Sequence, residues 1–427
     1  MSKVFGALRG LLGKVGAPVI SQGLNAGTSL MLQVIAARAL GLLEYGVFAL
    51  LLSLLVSATA LFTGYVGDSL AVLDRHAPPI RAALANSALI LWVATFAVGF
   101  TWVLLVRHGQ WTTAFVYAAM LVAWLMEETF RRLLIARLEF WKLVANDLTY
   151  LIGTVVALGS WYLVAGKVTL TMLFAAMAVG ALAAVTVGFA QVPRDEVSRL
   201  RRARAAMRQV ATFAGWRSLQ AALRPTALLL SRLLVANLVS LTAVGILEAG
   251  RLVIAPLQVI INGAGSFLLA GFAAGEKRGD GSTSRLATRA AYLLTAVTVF
   301  GGGAMALFAG PLGKLMTKAP VDPWLLLGWV AYLGVWAAGL PYVTEVVARK
   351  LSRAVFMTRF VDSVAGLGLA WAALLAGLSL NLVPWLMAVG GVYSLWRLRA
   401  LALRTRKQGP VLTRRVDLEA TVIIHHI

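Results

Sequence analysis

Long apolar runs separated by short polar or basic segments punctuate the chain at 15–37, 47–72, 82–106, 111–130, 143–165, 169–191, 214–238, 250–274, 286–310, 324–346, 357–378 and 382–402. A helix crossing hydrocarbon needs about 20 such residues, so the pattern predicts an all-α polytopic membrane protein with twelve spans. The runs are continuous, whereas a barrel strand alternates over about ten residues. Residues 2–14 put Phe5, Leu8, Leu11 and Leu12 on one side and Lys3, Arg9 and Lys14 elsewhere, which predicts an amphipathic helix in the membrane interface. The run that follows is about 24 residues, longer than the about 7–15 of a signal peptide's apolar core. It is read as a first span that the mature protein keeps.

Two runs break the apolar rule. In the seventh, Arg217, Gln220, Arg224 and Ser231 recur at helical spacing, with Arg232 beside that face and Pro225 interrupting it. In the eighth, Arg251, Gln258 and Asn262 do the same, and Gly265 continues the stripe. An arginine near mid-membrane costs about 2.5–3.5 kcal/mol on an insertion scale and persists where it faces a bundle interior or a wet cavity. These two spans are therefore expected to wall a water-filled, positively charged cavity.

Composition agrees: 60% of the 427 residues are hydrophobic and 13% charged, against about 45–50% and about 25% in soluble domains. The net charge of +22 would suggest nucleic acid in a soluble chain. Here about 31 of the 39 Lys and Arg fall in segments on one side of the membrane and about five on the other, Arg38, Arg107, Lys167, Lys314 and Lys318. That bias makes both termini cytoplasmic and removes the nucleic-acid reading. The arginines left over are Arg224, Arg232 and Arg251. The chain has no cysteine, so thiolate metal sites and iron–sulfur clusters are excluded. His76, His108, His425 and His426 form no ligand set, no phosphate-binding G-x-x-x-x-G-K-[ST] loop is present, and no metal or cofactor is expected. Residues 192–213 carry Arg194, Arg199, Arg201, Arg202, Arg204 and Arg208 and read as a basic surface helix that meets anionic lipid. The expected organisation is an interfacial helix at 1–14, a six-helix bundle at 15–191, the linker at 192–213, a second bundle at 214–404 and a cytoplasmic tail at 405–427.

The halves show an internal repeat. Gly41-Leu-Leu-Glu-Tyr-Gly46 returns as Gly245-Ile-Leu-Glu-Ala-Gly250, each opening an even-numbered span. An acid followed four residues later by arginine closes span 4 (Glu128, Arg132) and span 10 (Glu345, Arg349), and Asp147 and Asp362 then open spans 5 and 11. Six spans per half make the repeats parallel, related by an axis along the membrane normal. Ala37-Arg38-Ala39-Leu40-Gly41, Glu44-Tyr45-Gly46 and Phe48-Ala49-Leu50 resemble the first outer turn of polysaccharide flippases, and Glu128-x-x-Arg131-Arg132 with Ala136, Glu139-Phe140 and Asp147 resembles their fourth-span motif. On these residues the chain is similar to the Wzx-like branch of the multidrug/oligosaccharidyl-lipid/polysaccharide superfamily. The resemblance implies two six-helix bundles around a central cavity lined by spans 1, 2, 7 and 8, in a bacterial cytoplasmic membrane. It also implies translocation of a saccharide carried on a polyprenyl phosphate or pyrophosphate for cell-surface polysaccharide assembly. The chain lacks room for the two extra spans of MurJ-type lipid II flippases. Its first span has no acid where many multidrug members place a coupling carboxylate.

A lipid-linked saccharide needs its phosphate met inside the membrane, and guanidinium does this with a permanent charge and a fork of donors. Arg224 is expected to be the central phosphate contact, with Arg232 and Arg251 further along a ladder. Gln22, Asn25, Gln220, Gln258 and Asn262 are expected to meet sugar hydroxyls. Other readings stand beside these: Arg232 and Arg251 snorkelling to the outer interface, Arg251 pairing with Glu248, Arg224 capping at Pro225, and the amides joining helices. Asp68 and Glu128 are the candidates for coupling to a proton or sodium gradient, against simple i,i+4 pairs of Glu127 with Arg131 and Glu128 with Arg132. The protein is expected to be a monomer in the lipid bilayer, with glycosyltransferases as neighbours. The alternatives are a cation-coupled exporter of multidrug or major-facilitator type and, less favoured because the outer loops are short, a membrane glycosyltransferase; the main reading is not an enzyme.

Overall fold

A computed structural model describes residues 2–73, 77–193, 204–278, 282–349 and 351–406. His76, Arg75, Arg194, Arg199, Arg201, Arg202 and residues 407–427, with His425 and His426, lie outside the described residues, as do the side chains of 2–15.

The described chain is helical throughout, as the apolar pattern predicts. Helix α1, Ser2–Phe62, is 61 residues, about 90 Å at the helical rise and far more than one crossing. It divides at Gly41, whose φ of 76° and ψ of 167° leave the helical region. Only glycine takes that backbone without penalty. The helix restarts at once, so the second span begins about five residues before its predicted start at 47. The Glu44 carboxylate is taken up by Arg107 at 2.6 Å. Near its far end the second span widens into a π-turn, Thr63–Gly67, before a short helix α2, Asp68–Val72.

Spans 3 to 6 are α3 (Pro78–Val106), α4 (Trp111–Ala136), α5 (Phe140–Ala165) and α6 (Leu170–Gln191). Span 7 is α7, Arg204–Leu238, which runs unbroken through Pro225 rather than being interrupted there. Span 8 is broken: α8 (Leu241–Val253) and α9 (Ala255–Arg278) meet at a 59° bend. Pro256 has no N–H for the carbonyl of Leu252, and its ring crowds that turn. Span 8 starts nine residues before its predicted beginning because Ser240 caps the helix, its hydroxyl accepting from Ala243 N at 3.0 Å. Spans 9 to 12 follow as α10 (Ser282–Leu307), α12 (Pro323–Ala348), α13 (Ser352–Leu375) and α14 (Val383–Arg406), with the short α11 (Ala309–Thr317) between spans 9 and 10. Ten stretches are long and apolar enough to cross a membrane. The first holds two crossings, and the bent pair adds another, so the described residues make twelve.

The helices gather into two compact units, Met1–Ala236 with Ser240–Gly245, and Asn237–Val239 with Ile246–Ile427. Span 7 thus counts with the first six. In unit 1, Phe62, Val66, Leu125, Phe130, Leu134, Val185 and Val210 form one core that ties spans 2, 4, 6 and 7 together. In unit 2, Ala291, Tyr342, Val346, Leu398 and Ala402 join spans 9, 10 and 12. Leu163, Val164, Phe300 and Leu307 stand outward and exposed, as side chains meant for lipid do. The repeated glycine motif has a packing role in unit 1. A Cβ on Gly46 would collide with the carbonyl of Leu241, and one on Gly245 with that of Leu42. The two copies cross main chain to main chain, an approach open only to small residues.

Candidate functional site

Unit 1 buries an unusual concentration of charge. Helical spacing brings Glu127, Glu128, Arg131 and Arg132 to the last turns of span 4, facing the first turns of span 5. Glu127, Glu128, Arg131 and Asp147 are all at most 5% exposed. Arg131 is the hub: its Nε lies 2.7 Å from Asp147 Oδ1, its Nη1 3.0 Å from Glu128 Oε2, and its Nε 3.8 Å from Glu127 Oε1. Arg132 holds the other oxygen of Glu128 at 2.6 Å. The first spans complete the shell. Ser21 donates to Asp147 Oδ2 at 2.5 Å, and Thr63, at the start of the π-turn, donates to Glu128 Oε1 at 3.1 Å. Asn25, with its amide oxygen turned inward, accepts from Arg131 at 2.8 and 3.0 Å. The expected pairs of span 4 are therefore part of a network across spans 1, 2, 4 and 5, and Asp147, read from the sequence as a repeat marker and a member of the fourth-span motif, belongs to it.

Three members of this network, Asn25, Thr63 and Arg132, reach the wall of a cavity of about 370 Å³. Asn25, Ser29, Thr59, Thr63 and Arg132 give it a polar side, and Trp124 and Tyr150 stand at it edge to face, 5.1 Å between ring centroids. Trp124 Nε1 donates to Thr59 at 2.9 Å, which fixes the indole. The remaining wall is aliphatic, with Leu55, Val56 and Met177 among its residues and Ala221 from span 7. Arg132 is 29% exposed, so it presents a cation to the cavity while its partner Glu128 is fully buried. A site that offers aromatic edges, hydroxyls, an amide and one guanidinium suits a guest with an apolar body and a polar, anionic or hydroxylated part.

The π-turn sets a second polar group. It carries Asp68 to Arg217 of span 7, whose Nε and Nη2 reach Asp68 Oδ2 at 3.0 and 2.6 Å. Arg217 also donates to Gln220 at 3.3 Å. Asp68, which had no described partner within its own helix, is thus matched across 149 residues of sequence. The backbones touch here: a Cβ on Gly64 would lie 2.6 Å from Ser218 Cα.

The other predicted positions are more scattered. Gln22 is exposed near the start of span 1, and Arg224 is half-buried two turns beyond Arg217. Arg232 is buried, donates to Ser53 of span 2 and is not among the residues that line this cavity. In unit 2, Arg251 pairs with Glu248 at 2.7 Å, before the bend of span 8, whereas the half-buried Gln258 and exposed Asn262 come after it. The stripe expected along one straight helix is thus divided by the break at Ile254. Trp124, Tyr150 and Thr59 are cavity residues that the sequence did not single out, and Arg132 was read as the helical partner of Glu128 and not as a cavity residue. The available signal was the Glu128–Arg132 spacing, which also fits an ordinary surface pair.

The class defined by this fold and site is a multi-pass, all-helical membrane protein with twelve spans in two lobes. No family model and no curated sequence relative matches the chain. Solved structures do. An inward-facing multidrug resistance transporter of the MATE family, in the MOP superfamily, superposes with a TM-score of 0.73 at 12% identity, over 91% of this chain and 95% of that one. The lipid II flippase MurJ in an inward closed conformation gives a TM-score of 0.71 at 10% identity, over 91% of this chain and 86% of that one. An outward-facing MATE transporter of the same superfamily gives 0.63 at 12% identity over 92% and 94%. The chain therefore has the fold of MOP-superfamily transporters and flippases, as the sequence motifs led one to expect.

Proposed function

We propose that the protein is a flippase that moves a saccharide linked to a polyprenyl phosphate or pyrophosphate across the bacterial cytoplasmic membrane by alternating access, both termini being cytoplasmic. The observation that carries this reading is the guanidinium of Arg132 on the wall of a cavity that sets an amide, hydroxyls and two aromatic rings against an aliphatic side, in a fold that MurJ shares. Arg224 is the phosphate contact expected further along span 7. Arg232 and Arg251 are the further guanidiniums proposed from the sequence, held by Ser53 and by Glu248 respectively, and Gln22, Asn25 and Gln220 in unit 1 and Gln258 and Asn262 in unit 2 are the amides proposed for hydroxyls. Only a ligand with different affinity for the two states can drive the exchange between them. Neutralisation of a guanidinium by the carrier phosphate supplies that difference, and Asp68 and Glu128 are the acids we propose for coupling it to a proton or sodium gradient.

The test is flipping of a fluorescent polyprenyl-diphosphate monosaccharide in proteoliposomes, read by quenching of the outer leaflet. Arg224→Ala should abolish flipping and Arg224→Lys keep part of it; full activity in the alanine variant removes Arg224 from the site. The second reading is a cation-coupled exporter of small molecules. It is favoured by the MATE transporters among the solved structures and by the carboxylate-rich cluster under the cavity. It predicts uptake of an organic cation against a proton gradient and indifference to the lipid-linked sugar.

A further inference from the structure

The cluster around Arg131 has one more carboxylate than guanidinium. Glu127, Glu128 and Asp147 face Arg131 and Arg132. The shortfall is local. Asp147 has Arg131 and Ser21, and Glu128 has Arg131, Arg132 and Thr63. Glu127 is left with Arg131 at 3.8 Å, beyond hydrogen-bond reach, and with the amide of Asn146, whose Nδ2 is 3.5 Å from Oε1. Its Oε2 has no hydrogen-bond partner, and neither has Oδ1 of Asn146. Glu127 is 2% exposed and Asn146 fully buried. Two adjacent buried groups therefore each keep one acceptor oxygen that no donor meets, a costly arrangement that native interiors avoid.

We propose that Glu127 is a proton-binding site, linked to the cavity wall through Arg131, Glu128 and Arg132. A proton on Oε2 supplies the missing donor to the Glu127–Asn146 pair. The same proton brings the cluster to equal numbers of carboxylates and guanidiniums. A metal ion fits less well, because the guanidinium of Arg131 already fills the space between the carboxylates. Among the described residues, no three acids or histidines converge as a metal cage. Around Glu127, span 4 gives Glu128, Arg131 and Arg132; span 5 gives Asn146, Asp147 and Tyr150; span 1 gives Ser21 and Asn25; and span 2 gives Thr63. Span 6 has no titratable residue, and the single charge of span 3 is Arg81 in its first turn.

The link to the cavity follows from shared partners. Glu128 divides its two oxygens between Arg131 and Arg132. With Glu127 protonated, Arg131 serves two carboxylates, and Arg132 is free to offer part of its charge to a guest. Loss of the proton adds a negative charge to the cluster and draws Arg132 inward. An anionic guest and the proton therefore favour one another, and by linkage each raises the other's affinity equally. Glu127 carries this proton whatever cargo the cavity takes.

Trp124, one helical turn before Glu127 and in contact with Tyr150, reports the change. The full-length protein, labelled with 5-fluorotryptophan and held in nanodiscs, gives a ¹⁹F resonance assigned by Trp124→Phe. In the wild type that resonance should move with pH through a single midpoint. In Glu127→Gln it should stay fixed at the wild type's acid position. In Glu127→Asp it should titrate with a displaced midpoint, a readout that stands even if the glutamine variant does not fold. A wild-type resonance that ignores pH, a glutamine variant that titrates as the wild type does, or an aspartate variant with an unchanged midpoint overturns the assignment. So does a wild-type shift produced by replacing potassium with sodium at constant pH. Flipping of lipid-linked sugar is not used here, so failure of the transport reading and failure of the proton site remain distinguishable.

Discussion

Arg131 is the residue whose removal should cost the most. Its guanidinium, 5% exposed, lies 2.7 Å from Asp147, 3.0 Å from Glu128 and 3.8 Å from Glu127. Arg131→Met keeps much of the volume and deletes the charge, leaving three buried carboxylates to Arg132. Breaking a buried ion pair from one side costs about 3–5 kcal/mol, because the partner is stranded without compensation. The same physics predicts a partial rescue. Arg131→Met with Asp147→Leu removes a stranded carboxylate along with the cation, leaves Glu128 with Arg132, and loses the Ser21 hydrogen bond, worth about 1 kcal/mol. The double variant should thus be more stable than Arg131→Met alone. Steric trapping in bicelles measures unfolding free energy on this scale. A cost for Arg131→Met below about 1 kcal/mol, or a double variant whose loss equals the sum of the singles, would refute the hub.

Gly64→Ala should destabilise by about 1–3 kcal/mol, since the added Cβ meets Ser218 Cα at 2.6 Å and the Arg217 carbonyl at 2.8 Å, both main chain; the unfolding assay reads it, and no change would mean that spans 2 and 7 can part freely. Arg406→Ala in unit 2 removes two contacts to the buried Glu345, at 2.9 and 2.7 Å, but leaves Arg349 at 3.4 Å, so a loss of about 1–3 kcal/mol is expected. Between spans 4 and 5, the side-chain hydrogen bonds from Arg137 and Lys142 hold the Glu139 carboxyl below its ordinary range. A depressed value in the folded state means stability that is present above the ordinary glutamate range and lost as pH falls through the folded value. Glu139→Gln should therefore flatten the acid side of the melting profile, and an unchanged profile would show that this loop contributes nothing.

The spans were legible because burial in lipid leaves a run that few other structures need. Their ends were less so. Glu44 hid the restart after Gly41, since a carboxylate at a helix start reads as a loop until its partner Arg107 is seen, 63 residues on. Span 8 was read as one helix although Pro256 was visible, because membrane helices often tolerate proline, as span 7 does at Pro225. The candidate site was legible in its residue types and not in its pairing. Glu128 and Arg132 announce each other at helical spacing. Asp147 and Ser21 meet across 126 residues and Asp68 and Arg217 across 149, and periodicity within one helix carries no information about such partners. Arg232 shows the same limit: its place beside the polar face suggested a cavity or lipid, and its partner is a serine of another span.

The repeat copied a scaffold without copying its charge balance. At the ends of spans 4 and 5, three carboxylates meet two guanidiniums. At the matching ends of spans 10 and 11, Glu345 is held by Arg349 and by Arg406 of span 12, and Asp362 lies 3.3 Å from Arg359, itself stacked 4.4 Å over Trp336. There Glu345 alone has two guanidiniums, and Asp362 has its own arginine. Around Arg131 the carboxylates outnumber the guanidiniums, whereas Glu345 has two arginines to itself. That difference decides how each half answers a mutation. Deleting a guanidinium deepens the imbalance around Arg131 and relieves it around Arg406. Arg131→Met should accordingly cost more than Arg406→Ala, although both arginines reach a glutamate that is 1% exposed.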